Sequence, residues 1–238
     1  MEYSPTLALA TGLFEVSVAA WILRRPDDRP LRIHLSALLL LLAGYQLLEA
    51  FVCTGGGGGG YLSRVAFADV VWLPPVGISL LVLLRRPEGR WPRQTSRIFL
   101  AGAGLWTLVV LSTPRFTTHT VCDLVFATYT HGIPWLYEGY AAFYDLGLLI
   151  LVFGGLAATA SCRDHRRRVL LGAFTAGNTA FILAGLMIMH AFPSTDGAAP
   201  SVLCHSAISL AVSIAWMGWR LDPEEARARP GRWLTPAT

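Results

Sequence analysis

The sequence predicts an all-α, polytopic membrane protein: seven transmembrane helices, N-terminus outside and C-terminus cytoplasmic. Three observations carry that expectation. The 238 residues are 54% hydrophobic and only 14% charged, with a mean hydropathy of +0.51; an ordinary soluble domain carries about 25% charge. Seven stretches approach the ~20 apolar residues that a helix needs to cross a bilayer. And 17 of the 19 basic residues fall on one side of those stretches.

The spans read 5–23, 33–53, 63–84, 97–113, 135–159, 168–191 and 200–219. The first follows an acidic start, Met1-Glu2-Tyr3-Ser4-Pro5, which lacks the basic region of a signal peptide. It is therefore expected to be retained. In the second, Leu35 to Leu42 shows no polar stripe, so a soluble amphipathic helix does not fit. The third is interrupted by Pro74-Pro75, which would clash with the carbonyls of Val70 and Val71 and bend the helix beside Asp69. The fourth is the shortest. The fifth again has no polar stripe from Leu146 to Ala160. The seven spans form one domain, 1–220. Residues 221–238, with Pro223, Pro230 and Pro236, read as a short disordered cytoplasmic tail.

The arginines set the orientation. Arg24, Arg25, Arg29 and Arg32 follow span one; Arg85, Arg86, Arg90, Arg93 and Arg97 follow span three; Arg163, Arg166, Arg167 and Arg168 follow span five; and Arg220, Arg227, Arg229 and Arg232 follow span seven. Only Arg64 and Arg115 lie opposite. Positive charge stays cytoplasmic, which gives an N-out, C-in, multi-pass protein of the cytoplasmic membrane. The arginines sit beside lipid headgroups, so nucleic acid is not a partner and the lipid bilayer is. The chain has no lysine. That suggests a GC-rich bacterial source, and it excludes retinal Schiff bases, pyridoxal-phosphate chemistry and Walker-A loops. No cofactor and no metal is expected.

On the outer side, Gly55 to Gly60 is a flexible hexaglycine run. The segment Thr113 to Pro134 carries Phe116, Phe126 and Tyr129 and should fold back over the helix ends. Cys53 ends span two and Cys122 lies in that segment. Both face an oxidising compartment, so a disulfide would pin the segment to span two.

Ionisable residues inside spans are costly and mark sites. Here the polar groups gather in the outer half: Tyr45, Gln46 and Glu49; Asp69; Glu138, Tyr140, Tyr144 and Asp145; His190; and Cys204 with His205. Glu15 and Asn178 sit deeper. The pattern predicts a polar pocket that opens outward or sideways and is closed towards the cytoplasm. Glu49 and Asp145 are the candidate catalytic acids, and Tyr45, Gln46, Asp69, Trp72, Trp135, Tyr140, Tyr144, Asn178, His190 and His205 the candidate substrate contacts. His190 and His205 lie on different spans without zinc-ligand spacing.

Two resemblances follow from these residues. Gln46-x-x-Glu49, the Pro-interrupted third span and Ser201-x-x-Cys204 resemble a group of uncharacterised bacterial seven-helix membrane proteins. Leu48-Glu49-Ala50-Phe51 also resembles the small integral-membrane terpene cyclases of meroterpenoid and indole-terpenoid pathways. That likeness implies an acid late in span two protonating an isoprenoid olefin or epoxide. The family's second acid, in span seven, is absent here: the region reads Cys204-His205-Ser206, and Asp145 would have to substitute.

The leading expectation is thus an acid-catalysed, terpene cyclase-like isomerase or lyase acting on a lipid-soluble isoprenoid, with aromatic rings flanking a carbocation. The alternative is a transporter or sensor that binds a small solute in the outer pocket. A third possibility, an assembly partner, would use small-residue faces such as Gly172, Ala176 and Ala180. Oligomeric state is not legible.

Overall fold

A computed structural model of the chain describes residues 5–25, 28–55, 60–85, 90–122, 126–191 and 198–220. The proposed tail 221–238, most of the hexaglycine run, Arg86, Arg227, Arg229 and Arg232 lie outside the described residues.

Seven helical stretches are long and apolar enough to cross a membrane. They are α1 (Thr6–Leu23); α2 (Arg29–Thr54); α3 (Gly60–Val70) with α4 (Leu73–Arg85); α5 (Arg90–Ser112); α6 (Pro134–Leu149), a π-turn (Ile150–Gly154) and α7 (Gly155–Ser161); α8 (His165–Ala191); and α9 (Ala199–Ser206) with α10 (Ile208–Arg220). The 26 residues of α2 rise about 39 Å, enough for a hydrocarbon core of about 30 Å. The molecule is mostly helical but not wholly so. β1 (His119–Cys122) and β2 (Ala127–Thr130) form an antiparallel hairpin, which a pattern search for apolar spans does not detect.

Helix α2 is the spine, packing against α1, α3, α4, α9 and α10. Its Leu35, Leu38, Leu39 and Leu42 meet Leu80 of α4, Phe174 of α8 and Ile214 of α10 in the main core. The outward surface is apolar too: Ile98, Leu105 and Leu108 of α5 and Met187 of α8 are all exposed. Soluble monomers avoid such wide apolar surface, whereas a lipid-facing bundle requires it. At the end of the bundle where α1 turns into α2, the Arg32 guanidinium donates to the carbonyls of Leu23 (2.8 Å) and Arg25. It thereby satisfies acceptors that the end of α1 leaves open.

The third span breaks at Val71–Trp72, just before Pro74-Pro75, as the two prolines require. The break is tightly packed. A methyl group on Gly147 of α6 would lie 2.5 Å from the Pro74 side chain. Farther down, one on Gly155 would lie 2.4 Å from Thr175 Oγ1 of α8. Glycine lets the fifth span approach both neighbours closely at these points.

At the opposite end from Arg32 the hairpin folds back onto the bundle, as the aromatic content of that segment predicts. A disulfide joins Cys53 of α2 to Cys122 of β1. Phe67 is the hub of a second, aromatic core. Five rings meet it edge-to-face: Phe116, Tyr129, His131, Tyr137 and Tyr140, with centroids 5.0–6.2 Å away.

Candidate functional site

Two structures lie near the hairpin end: a cleft, and a polar knot that holds one of the cleft's walls.

The cleft has a volume of about 100 Å³. Helix α3 supplies Phe67 and Val70; α9 supplies Ala199, Pro200 and Leu203; α6 supplies Tyr137, Tyr140, Ala141, Tyr144 and Asp145. The α6 residues follow the i, i+3, i+4, i+7, i+8 spacing of one helical face. Helix α6 seats on α4 and is parted from α9 by the cleft. Tyr140 is buried and its hydroxyl donates to the Phe67 carbonyl at 2.8 Å, which leaves the hydroxyl oxygen as an acceptor. Asp145 lies eleven residues into α6, about 16 Å from its start, and is exposed at the cleft. Among the described residues, no hydrogen bond or ion pair engages its carboxylate.

The knot lies on the far side of α9. Glu49 is fully buried, and its Oε1 accepts a 2.9 Å hydrogen bond from Ser201 Oγ of α9. The same Ser201 Oγ accepts from the backbone N–H of Ala127 in β2 at 3.1 Å. One hydroxyl thus links α2, α9 and the hairpin. Gln46 Nε2 donates to the Cys204 carbonyl at 2.7 Å, the Tyr45 hydroxyl donates to that of Tyr129 at 3.2 Å, and His205 Nδ1 donates to the Ser201 carbonyl at 2.8 Å. The His205 ring stands on edge against Phe126.

The residues expected to share one pocket therefore separate. Tyr140, Tyr144 and Asp145 line the cleft. Glu49, Tyr45, Gln46 and His205 belong to the knot, because their α2 and α9 faces turn toward each other. Asp69 is half-buried, with its carboxylate against Gly44, where a methyl group would come within 3.0 Å of Oδ2. Trp72 donates to Thr107 Oγ1 of α5 at 3.0 Å. Three residues sit apart from both. Trp135, 71% exposed, points outward in the first turn of α6. His190 is exposed at the end of α8. Asn178 bonds back to the Phe174 carbonyl and borders a small apolar void among leucines. Among the described residues, no three His, Cys, Asp or Glu side chains converge as metal ligands. The cleft is also less polar than expected: tyrosine rings and aliphatic groups with a single carboxylate.

Sequence reasoning passed over Ser201 and Tyr137, and placed Glu15 only as a deeper polar group of span one. Ser201 stands in the quoted Ser201-x-x-Cys204 motif, so its signal was present. Tyr137 completes the α6 stripe. Glu15 is fully buried in α1, with both carboxylate oxygens lacking a hydrogen-bond partner among the described residues.

Tyr137 also joins the cleft to the hairpin: His131 stacks on it with ring centroids 3.7 Å apart. Burial holds the His131 imidazole below the ordinary histidine pKa of 6.5; the bond between its Nδ1 and the Phe116 carbonyl at 2.7 Å pulls the other way but does not cancel it.

Compared with known proteins, the chain matches no protein-family model and no curated protein.

Proposed function

We propose that the chain is an integral protein of a bacterial cytoplasmic membrane, N-terminus outside, which admits a lipid-soluble, isoprenoid-like molecule to the cleft and acts on it by acid catalysis. The observation that carries this reading is the cleft's composition: one carboxyl, Asp145, at the edge of a surface of tyrosine rings and aliphatic side chains. The role expected of Glu49 passes to Asp145, since Ser201 engages Glu49 away from the cleft. Glu49 becomes a positioning residue that fixes the α9 wall.

In this mechanism the Asp145 O–H bond breaks as a new C–H bond forms at a substrate alkene, or an O–H bond at an epoxide. The carboxylate and the faces of Tyr137, Tyr140 and Tyr144 then flank the resulting cation. Loss of a proton to the carboxylate forms the new alkene and restores the acid. Substrate and product are isomers. The cleft's ~100 Å³ is less than the ~150 Å³ that holds a benzene, so only the reacting end enters and the rest of the chain lies in the bilayer. This reading keeps the likeness to integral-membrane terpene cyclases but moves the acid from span two to span five.

A second reading, ligand binding without turnover in a sensor or transporter, is favoured by one feature: the only acid in the terpene-cyclase position is tied up by Ser201. One experiment separates the two. Protein in nanodiscs would be given linear isoprenoid alkenes and epoxides in deuterated water, and products analysed by gas chromatography and mass spectrometry. Acid catalysis predicts isomeric products, carrying carbon-bound deuterium where an alkene is protonated and a new hydroxyl where an epoxide is, abolished by Asp145→Asn and reduced but present in Glu49→Gln. Turnover that survives Asp145→Asn and vanishes in Glu49→Gln would reverse the assignment. No turnover with any member of the panel would leave the binding reading.

A further inference from the structure

We infer that the cleft binds an amphiphilic organic cation: a small protonated amine on a hydrocarbon tail. The inference rests on the cleft being the ligand site, but not on catalysis there. Three observations converge on it. Asp145 presents a carboxylate at the cleft about 16 Å along its span, with no hydrogen bond or ion pair among the described residues. An isolated charge at that depth is expensive and calls for a counter-charge. Among the described residues no arginine pairs with it: of the two toward the hairpin end, Arg64 donates to the carbonyls of Gly60 and Leu111, and Arg115 lies in the exposed turn beyond α5.

The remaining surface selects the kind of cation. Phe67 and three tyrosines border the cleft, and Tyr137 and Tyr140 lie near-parallel with centroids 6.4 Å apart. Tyr140 has already given its hydrogen to Phe67, so its oxygen can only accept. A carboxylate, ring faces and an acceptor oxygen are the complement of an ammonium N–H donor. The volume limits the head to a few heavy atoms, and the apolar walls of Val70, Ala141 and Leu203 suit a tail that continues into lipid. An inorganic cation gains nothing from the rings and meets too few oxygens.

The test uses full-length protein in phosphatidylcholine nanodiscs at pH 7.5. Binding of tritiated N,N-dimethyldodecylamine, protonated at that pH, is compared with binding of tritiated N,N-dimethyldodecanamide, which has the same tail but no charge. Empty nanodiscs set the background. Saturable binding with at least a tenfold preference for the amine is expected. Asp145→Asn should remove that preference while amide binding persists, which also shows that the variant is folded. If that variant does not fold, Ala141→Trp, which fills the cleft, should abolish saturable amine binding. Equal binding of amine and amide, or a preference untouched by either variant, overturns the inference. Isoprenoid turnover without amine preference would sink this inference and spare the catalytic reading; amine binding without any turnover would do the reverse.

Discussion

Ser201 shows how one side chain can tie three elements together. Its hydroxyl donates to Glu49 and accepts from Ala127, so α2, α9 and the hairpin share one buried atom. Ser201→Ala leaves a buried N–H and a buried carboxyl oxygen without that partner. Such a loss costs about 1–3 kcal/mol, and thermal unfolding should register it, with the hairpin becoming more accessible to protease. No change in either would mean that water replaces the hydroxyl at no cost. His131 gives a pH dependence. Its pKa is lowered in the fold by burial, so the opened hairpin binds protons more readily. Stability is fully present above the ordinary histidine value and is lost as pH falls below about 6.5 toward the folded value. Melting followed between pH 7.5 and 5 should show this loss, and His131→Phe should flatten it. At this scale the sequence was informative about residue type and depth but not about azimuth. Glu49 and Asp145 both read as outer-half acids; which faces of α2 and α6 meet the same space depends on packing against α3 and α9, which no single-span pattern encodes.

Among the elements, the fifth span depends most on close approach. Gly147 of α6 leaves no room beside Pro74 and Phe99. Gly147→Ala must displace a rigid proline ring, an overpacking that costs about 1–3 kcal/mol. Gly104 of α5 meets nothing within 4 Å, so Gly104→Ala should be neutral or slightly stabilising. Gly147→Ala should lower the melting temperature while Gly104→Ala leaves it unchanged or raises it, and equal shifts would show that the α4–α6 contact yields. The break in span three was legible because proline chemistry is local: Pro74-Pro75 cannot continue the α3 hydrogen-bond ladder. The Cys53–Cys122 pairing was legible from position, as both cysteines fall on one side of the alternating spans. The hairpin was not. Its four-residue strands pair across a connection without a clear turn signature, and what secures it is long-range: the disulfide, Ser201, Tyr45 and the rings around Phe67.

For the whole molecule, the span count was written plainly in the hydropathy, because about 20 apolar residues per span is a strong constraint. Orientation rests on the arginine asymmetry. A reporter fused after Thr238 should be cytoplasmic and a tag before Met1 outside; both on one side would break the alternation on which the account is built. The cleft was the least legible feature, since it depends on a gap between α6 and α9 and on the few side chains that border it. The most direct measurement of the central claim is therefore photolabelling in nanodiscs with a lipid-soluble amine bearing a diazirine on its tail near the head, with adducts mapped by mass spectrometry. The account predicts adducts concentrated on 134–149 and 199–206, suppressed by excess N,N-dimethyldodecylamine and by Ala141→Trp. Adducts spread over the exposed apolar surfaces of α5 and α8, with neither treatment reducing them, would contradict it.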